Sequence, residues 1–102
     1  MRNRHPVSRR KRWFVYVIGN PRGEFYTGIT FDNDPERRLR EHNAGTGAKY
    51  TRGRAPWSLV YVETGFEGRA AAQAREHTLK HDLDFKRRLR TSSRRVKISG
   101  FT

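Results

Sequence analysis

Arg38 and His42 stand four residues apart, so on a helix they project from one face, one turn from each other. A guanidinium can hold an anionic oxygen and an imidazole can move a proton, although a solvated basic face containing Arg37 and Arg40 would look the same. Glu76 lies between Arg75 and His77 in a stretch of small and basic residues. It suits an i,i+4 ion pair with Lys80, and equally a hard oxygen ligand for a divalent cation completed by water and phosphate. Tyr16 and Tyr26 each fall in an apolar, β-branched run. From Gly45 to Arg54 one aromatic and three cations become available to an anionic polymer, because Tyr50 can stack and Lys49, Arg52 and Arg54 can meet phosphates among flexible glycines. An ordinary polar connection would have a similar composition. His5, His77 and His81 show no carboxylate pairing that would make a metal cluster.

These residues need elements to position them. Trp13–Ile18 is a continuous aromatic and β-branched run, which suits a central strand covered on both faces. Residues 19–23 are dense in turn formers and Glu24–Thr30 resumes a strand pattern, so the pair reads as an antiparallel hairpin. With the turn centred on Pro21, Tyr16 would face Tyr26 directly. Asp34-Pro35-Glu36 opens a helix that runs to Ala44 and stops at Gly45. Trp57–Glu63 reads as a third strand with Leu59 and Tyr61 on one face and Val60 and Val62 on the other. Glu67–His81 is a second helix, and Asp84 caps a third, through Arg90, whose Phe85 and Leu89 share a side. The order β-β-α-β-α-α describes a small α+β domain with a three-stranded antiparallel sheet flanked by helices.

The 102-residue chain is long enough for one such domain. Hydrophobic residues make up 33% and charged residues 32%, so the core must be thin. Twenty-three Lys and Arg against ten Asp and Glu give a net charge of +13, which favours polyanions through counterion release and steers them in from a distance. The expected partner is DNA, with RNA also compatible, and the expected location is cytoplasmic and nucleoid-associated. No segment approaches the ~20 apolar residues of a membrane span. The absence of cysteine excludes disulfides, thiol catalysis and Cys-rich zinc sites. Residues 1–12 hold six cations and almost nothing apolar, and read as a flexible basic arm; residues 91–102 read as a basic tail in which Val96, Ile98 and Phe101 could form a short strand.

Taken in register, Tyr16, Tyr26-Thr27-Gly28, Arg38, His42 and Glu76 resemble the GIY-YIG nuclease superfamily across residues 13–90. The runs His42-Asn43-Ala44-Gly45, Gly47-Ala48-Lys49-Tyr50-Thr51-Arg52-Gly53 and Ala74-Arg75-Glu76 resemble its short, single-domain bacterial branch. The resemblance implies a phosphodiesterase site using Mg²⁺ or Mn²⁺. Glu76 would hold the metal, Arg38 would bind the scissile phosphate, and Tyr16 would orient or deprotonate water. Tyr26 and His42 would complete the hydrogen-bonded site. The chain departs from the motif in having Phe14-Val15-Tyr16 and Thr27, and it shows no C-terminal asparagine matching the polar residue that some members place near the metal. The expected activity is structure-selective endonuclease or nickase action on DNA. The rival readings are a non-catalytic basic binding module and a subunit that is silent until a protein partner joins it.

Overall fold

The computed structural model describes residues 10–91 and the backbone of 97–99; the basic arm over residues 1–9 and most of the expected tail lie outside the described residues. Strands β1 (Arg12–Gly19), β2 (Phe25–Asp32) and β3 (Ser58–Thr64) form an antiparallel sheet with β1 central. Helix α1 (Pro35–Asn43) connects β2 to β3, and α2 (Arg69–Lys80) and α3 (Leu83–Thr91) follow. This is the three-stranded, three-helix α+β arrangement expected from the sequence. The backbone of a short β4 (Lys97–Ser99) adds in parallel to the outer side of β3.

β1 is buried on both faces from Phe14 to Gly19, as its unbroken apolar run requires. On one face Phe14, Tyr16 and Ile18 pack with Trp57, Leu59 and Val62, with Leu39 of α1 and Tyr26 against them. On the other, Val15 and Val17 pack with Val60, Ala72 and Leu79, and with Phe85 and Leu89 of α3. Helix α1 therefore covers one face, and α2 with α3 covers the other. Among the described residues no helix is long and apolar enough to cross a membrane.

Three local expectations change. The hairpin centres one residue beyond Pro21, because the Asn20 side chain accepts the amides of Arg22 and Glu24 at 3.2 and 3.0 Å and Gly23 adopts a φ of +81°. Tyr16 accordingly faces Gly28, and Tyr26 faces Ile18. The two tyrosines remain on one face, as diagonal neighbours with ring centroids 6.4 Å apart. In β3 a register shift opposite Val17 and Ile18 breaks strict alternation. Leu59 and Val62 then face the Tyr16 side, while Val60 faces the other. The cap of α3 is Asp82, whose Oδ1 accepts the Phe85 amide at 2.9 Å. Asp84 sits inside the first turn, where it pairs with Arg87 and Arg88 at 2.9 and 3.3 Å.

Asp34 caps α1 as expected: its Oδ1 accepts the Glu36 amide at 3.0 Å with Pro35 at the first helical position, and Gly45 ends the segment at a φ of +83°. This fixes which side of α1 meets the sheet, and so delivers His42 into the core.

Candidate active site

Tyr16 is fully covered by its surroundings, at 1% exposure, and its ring lies across the backbone of Gly28. A Cβ on Gly28 would stand 2.6 Å from Tyr16 Oη, 2.8 Å from its Cζ and 3.1 Å from Tyr26 Cε2. The glycine is therefore a steric requirement of the phenol's position rather than of backbone conformation. No other residue type leaves that space.

His42 is completely buried, and both ring nitrogens are bonded. Nε2 lies 2.7 Å from Tyr16 Oη and Nδ1 lies 2.7 Å from Thr51 Oγ1. Thr51 donates its hydroxyl proton to the Ala48 carbonyl at 3.1 Å, so it must accept from the histidine. That assigns the proton to Nδ1, leaves Nε2 with a lone pair, and makes Tyr16 the donor to it. Burial, and then the Arg38 charge, push the imidazole down to about 4, so the ring is neutral at pH 7. Burial pushes the Tyr16 phenol above the usual tyrosine range, opposed by a hydrogen bond from Arg38. The resting site thus contains a neutral phenol bonded to a neutral imidazole.

The chain beyond α1 is folded back to supply Thr51. Asn43 donates to the Trp57 carbonyl at 3.0 Å and accepts its amide at 2.6 Å, while the Trp57 indole donates to the Thr51 carbonyl at 3.1 Å. Gly47 passes so close to the imidazole that a Cβ would be 2.5 Å from Nδ1. The interval from Gly45 to Arg54 is thereby a bracket around His42 as well as a surface loop.

Arg38 sits at the Tyr16 hydroxyl and donates to Glu41 at 2.6 Å, with its side chain 30% exposed. It bridges the buried relay and the surface. Tyr26 lies beside the His42 ring, 5.1 Å between centroids, and the half-exposed Tyr50 stacks on Tyr26 at 6.0 Å with an interplanar angle of 17°. Arg54 lies over Tyr50 at 4.5 Å and pairs with Glu24 at 2.9 Å. Lys49 and Arg52 are exposed. Of the four cation and aromatic contacts expected in this loop, Arg54 and Tyr50 belong to an ordered stack, and Lys49 and Arg52 face solvent.

Glu76 is placed differently. It lies on α2, whose Ala72 and Leu79 pack against the face of the sheet opposite Tyr16, and its carboxylate pairs with Lys80 at 3.0 Å. Lys80 in turn lines a cavity with Phe25, Tyr26, Thr27, Tyr50 and Lys86. Because β2 is the edge strand, this cavity wraps around it and joins the two faces. Four of the five expected site residues converge on one face, and the fifth stands across the edge. The Glu76 side chain is 18% exposed and supplies one hard oxygen donor group. Among the described residues no cluster of three His, Cys, Asp or Glu surrounds a common point. That donor set fits Mg²⁺ or Mn²⁺ held by one carboxylate with water and phosphate oxygens, and does not fit a closed zinc site.

Residues 12–90 match the family model for the GIY-YIG catalytic domain. The chain belongs to the GIY-YIG family. It is 54% identical over 67 residues to a UPF0213 protein of Haloquadratum walsbyi, covering 66% of this chain and 72% of that one. It is 50% identical over 66 residues to a UPF0213 protein of Halobacterium salinarum, covering 65% and 82%. The solution NMR structure of the UPF0213 protein BH0048 from Bacillus halodurans is 36% identical, with 81% of this chain and 85% of that chain covered and a TM-score of 0.44.

Within this GIY-YIG domain, Thr51 and Gly47 belong to a run that carries the resemblance but had no part assigned in the site, and Glu41 was not singled out. Thr51 is nine residues from His42 and carries no charge, so only its complete burial marks it as a partner of the imidazole. Glu41 offers an i,i+3 signal to Arg38 that was legible but ambiguous among neighbouring arginines.

Proposed function

We propose that this GIY-YIG protein is a divalent-metal-dependent endonuclease or nickase that hydrolyses phosphodiester bonds in DNA and selects structure over sequence. The observation that carries the reading is the hydrogen-bonded chain Tyr16–His42–Thr51, held beside an arginine that reaches the surface. An ion pair or a packing role would need no such sequence of donors and acceptors. A phenol that removes a proton from attacking water needs somewhere to send its own.

As water attacks phosphorus, its proton passes to Tyr16 Oη while the Tyr16 proton passes to His42 Nε2. The imidazolium so formed keeps its Nδ1–H bond to Thr51. The bond from phosphorus to the leaving oxygen breaks on the opposite side. Arg38 exchanges Glu41 for the phosphate, and its planar fork meets the charge that builds on the equatorial oxygens. Glu76 would hold a Mg²⁺ or Mn²⁺ ion, which stabilises charge developing on the leaving oxygen. Lys49 and Arg52 are suited to track the phosphate backbone, and contacts of that type respond to shape more than to base edges.

The deciding experiment is nicking of supercoiled plasmid and of branched or flapped oligonucleotides with Mg²⁺, Mn²⁺ or chelator. Glu76→Gln should abolish metal-dependent cleavage and leave DNA affinity intact or slightly raised, since it removes a negative charge from a basic surface. Arg38→Ala should reduce cleavage and also modestly reduce binding. Wild-type protein that never cuts, or Glu76→Gln that cuts as fast as wild type, would replace this reading with a non-catalytic binding module.

A further inference from the structure

The cavity at the outer edge of β2, about 300 Å³, is formed by parts of the chain that otherwise have no common task. Phe25 and Thr27 point to one face of the sheet and Tyr26 to the other. Tyr50 comes from the loop after α1, Lys80 from the end of α2 and Lys86 from α3. Three aromatic rings, two of them phenols, therefore share one concavity with the Thr27 hydroxyl and two ammonium groups. A third cation lies at the same strand, because Arg90 sits 5.3 Å over the Phe25 ring.

These groups define an occupant. Rings and ammonium groups lining one cavity suit a flat π-system attached to anionic oxygens, which is the chemistry of a nucleotide. Duplex DNA presents its bases stacked and paired, with only edges accessible, so a ring can meet the wall of this cavity only where the base is free of its partner. Lys80 is half exposed and is held by Glu76. It can turn from that carboxylate to a phosphate without a backbone movement, because its stem is flexible and its ammonium is a point charge. The neighbouring side of the cavity is Tyr26, which touches His42.

We propose that this cavity holds one unpaired nucleotide of the bound strand, its base against Phe25, Tyr26 and Tyr50 and its phosphates against Lys80 and Lys86. This deepens the nuclease reading and rests on it in taking nucleic acid as the substrate: it makes the preferred substrate a strand with an unstacked nucleotide next to the cut, such as a bulge, flap or single-stranded junction. It also gives the α2 and α3 side of the edge a share in binding that the loop from Gly45 to Arg54 does not supply.

The test is a fluorescence anisotropy titration in chelator, with a fully paired duplex, the same duplex carrying a single-nucleotide bulge, and the bulged duplex with an abasic unit at the bulge. The bulged duplex should bind on the order of tenfold tighter than the paired one, and the abasic unit should remove most of that gain. Lys80→Gln/Lys86→Gln should lower the salt slope on single strands by about 1.4, at about 0.7 per phosphate contact, whereas Lys11→Gln/Arg69→Gln, on exposed residues away from the cavity, should leave the preference for the bulge intact. Tyr50→Ala should lose the preference while keeping the salt slope. Equal affinity for paired, bulged and abasic duplexes overturns the proposal with wild-type protein alone, whatever the variants do. Because no metal is present, a retained preference in a protein that never cuts would overturn the nuclease reading only, and a cutting protein indifferent to the bulged base would overturn the pocket only.

Discussion

At the scale of single residues, the site depends on two glycines for lack of a side chain. Gly28→Ala would place a methyl 2.6 Å from Tyr16 Oη, inside a strand that cannot withdraw from its partner. Overpacking of this kind costs ~1–3 kcal/mol. A thermal melt should show that loss, and cleavage should fall at least about tenfold as the phenol leaves His42. The histidine itself sets a pH dependence. Unfolded, it titrates near 6.5; folded, near 4. Between those values the unfolded chain binds more protons, so stability falls as the pH drops through that window, by up to ~3 kcal/mol at its lower end. Urea midpoints measured from pH 7 to pH 4 should decline in wild type and decline less in His42→Gln. Arg38 and His42 were legible as a pair through their i,i+4 spacing, and Tyr16 was joined to them by the resemblance to the GIY-YIG superfamily. Thr51 was not, since an uncharged hydroxyl in a loop acquires its role only when Asn43 and Trp57 fold the loop back.

At the scale of elements, what the sequence made plain was periodicity, and what it concealed was register. The buried run of β1, the Asp34 cap and the Phe85/Leu89 pair all identify their elements through local chemistry. The hairpin register depends instead on which residues near Pro21 close the turn, and the Asn20 side chain decides this through two amides. The error preserved the face of every residue, because moving the turn centre by one changes each partner by two positions. At β3 a bulge did change faces, and nothing in an apolar run such as Leu59–Val62 announces one. The α3 cap offers a clean comparison. Asp82→Ala should cost about 1 kcal/mol through the lost bond to the Phe85 amide, and Asp84→Ala, which removes only exposed ion pairs, should stay within about 0.5 kcal/mol. Chemical denaturation of the two variants side by side would separate them. Glu76 was the other blind spot: its place in the sequence is unambiguous, yet its side of the sheet is set by how α2 packs through Ala72 and Leu79.

At the scale of the whole molecule, charge dominates. Residues 1–9 carry Arg2, Arg4 and Arg9. Deleting them should reduce the salt slope of duplex binding by up to about 2.7, at about 0.9 per phosphate. An unchanged slope would show that this segment does not meet DNA. The position of β2 has a different consequence. As the outermost strand among the described residues, it has a row of backbone amides and carbonyls with no sheet partner among them, which is the feature through which sheets of separate molecules join and precipitate. The lysines beside it, Lys80 and Lys86, keep like-charged copies apart. Protein stored without nucleic acid should therefore cloud sooner at high salt than at low, and Lys80→Gln/Lys86→Gln should cloud sooner still, as followed by light scattering on slow heating. A short oligonucleotide lying along the edge would protect it, so the ligand of this molecule would also be its solubiliser.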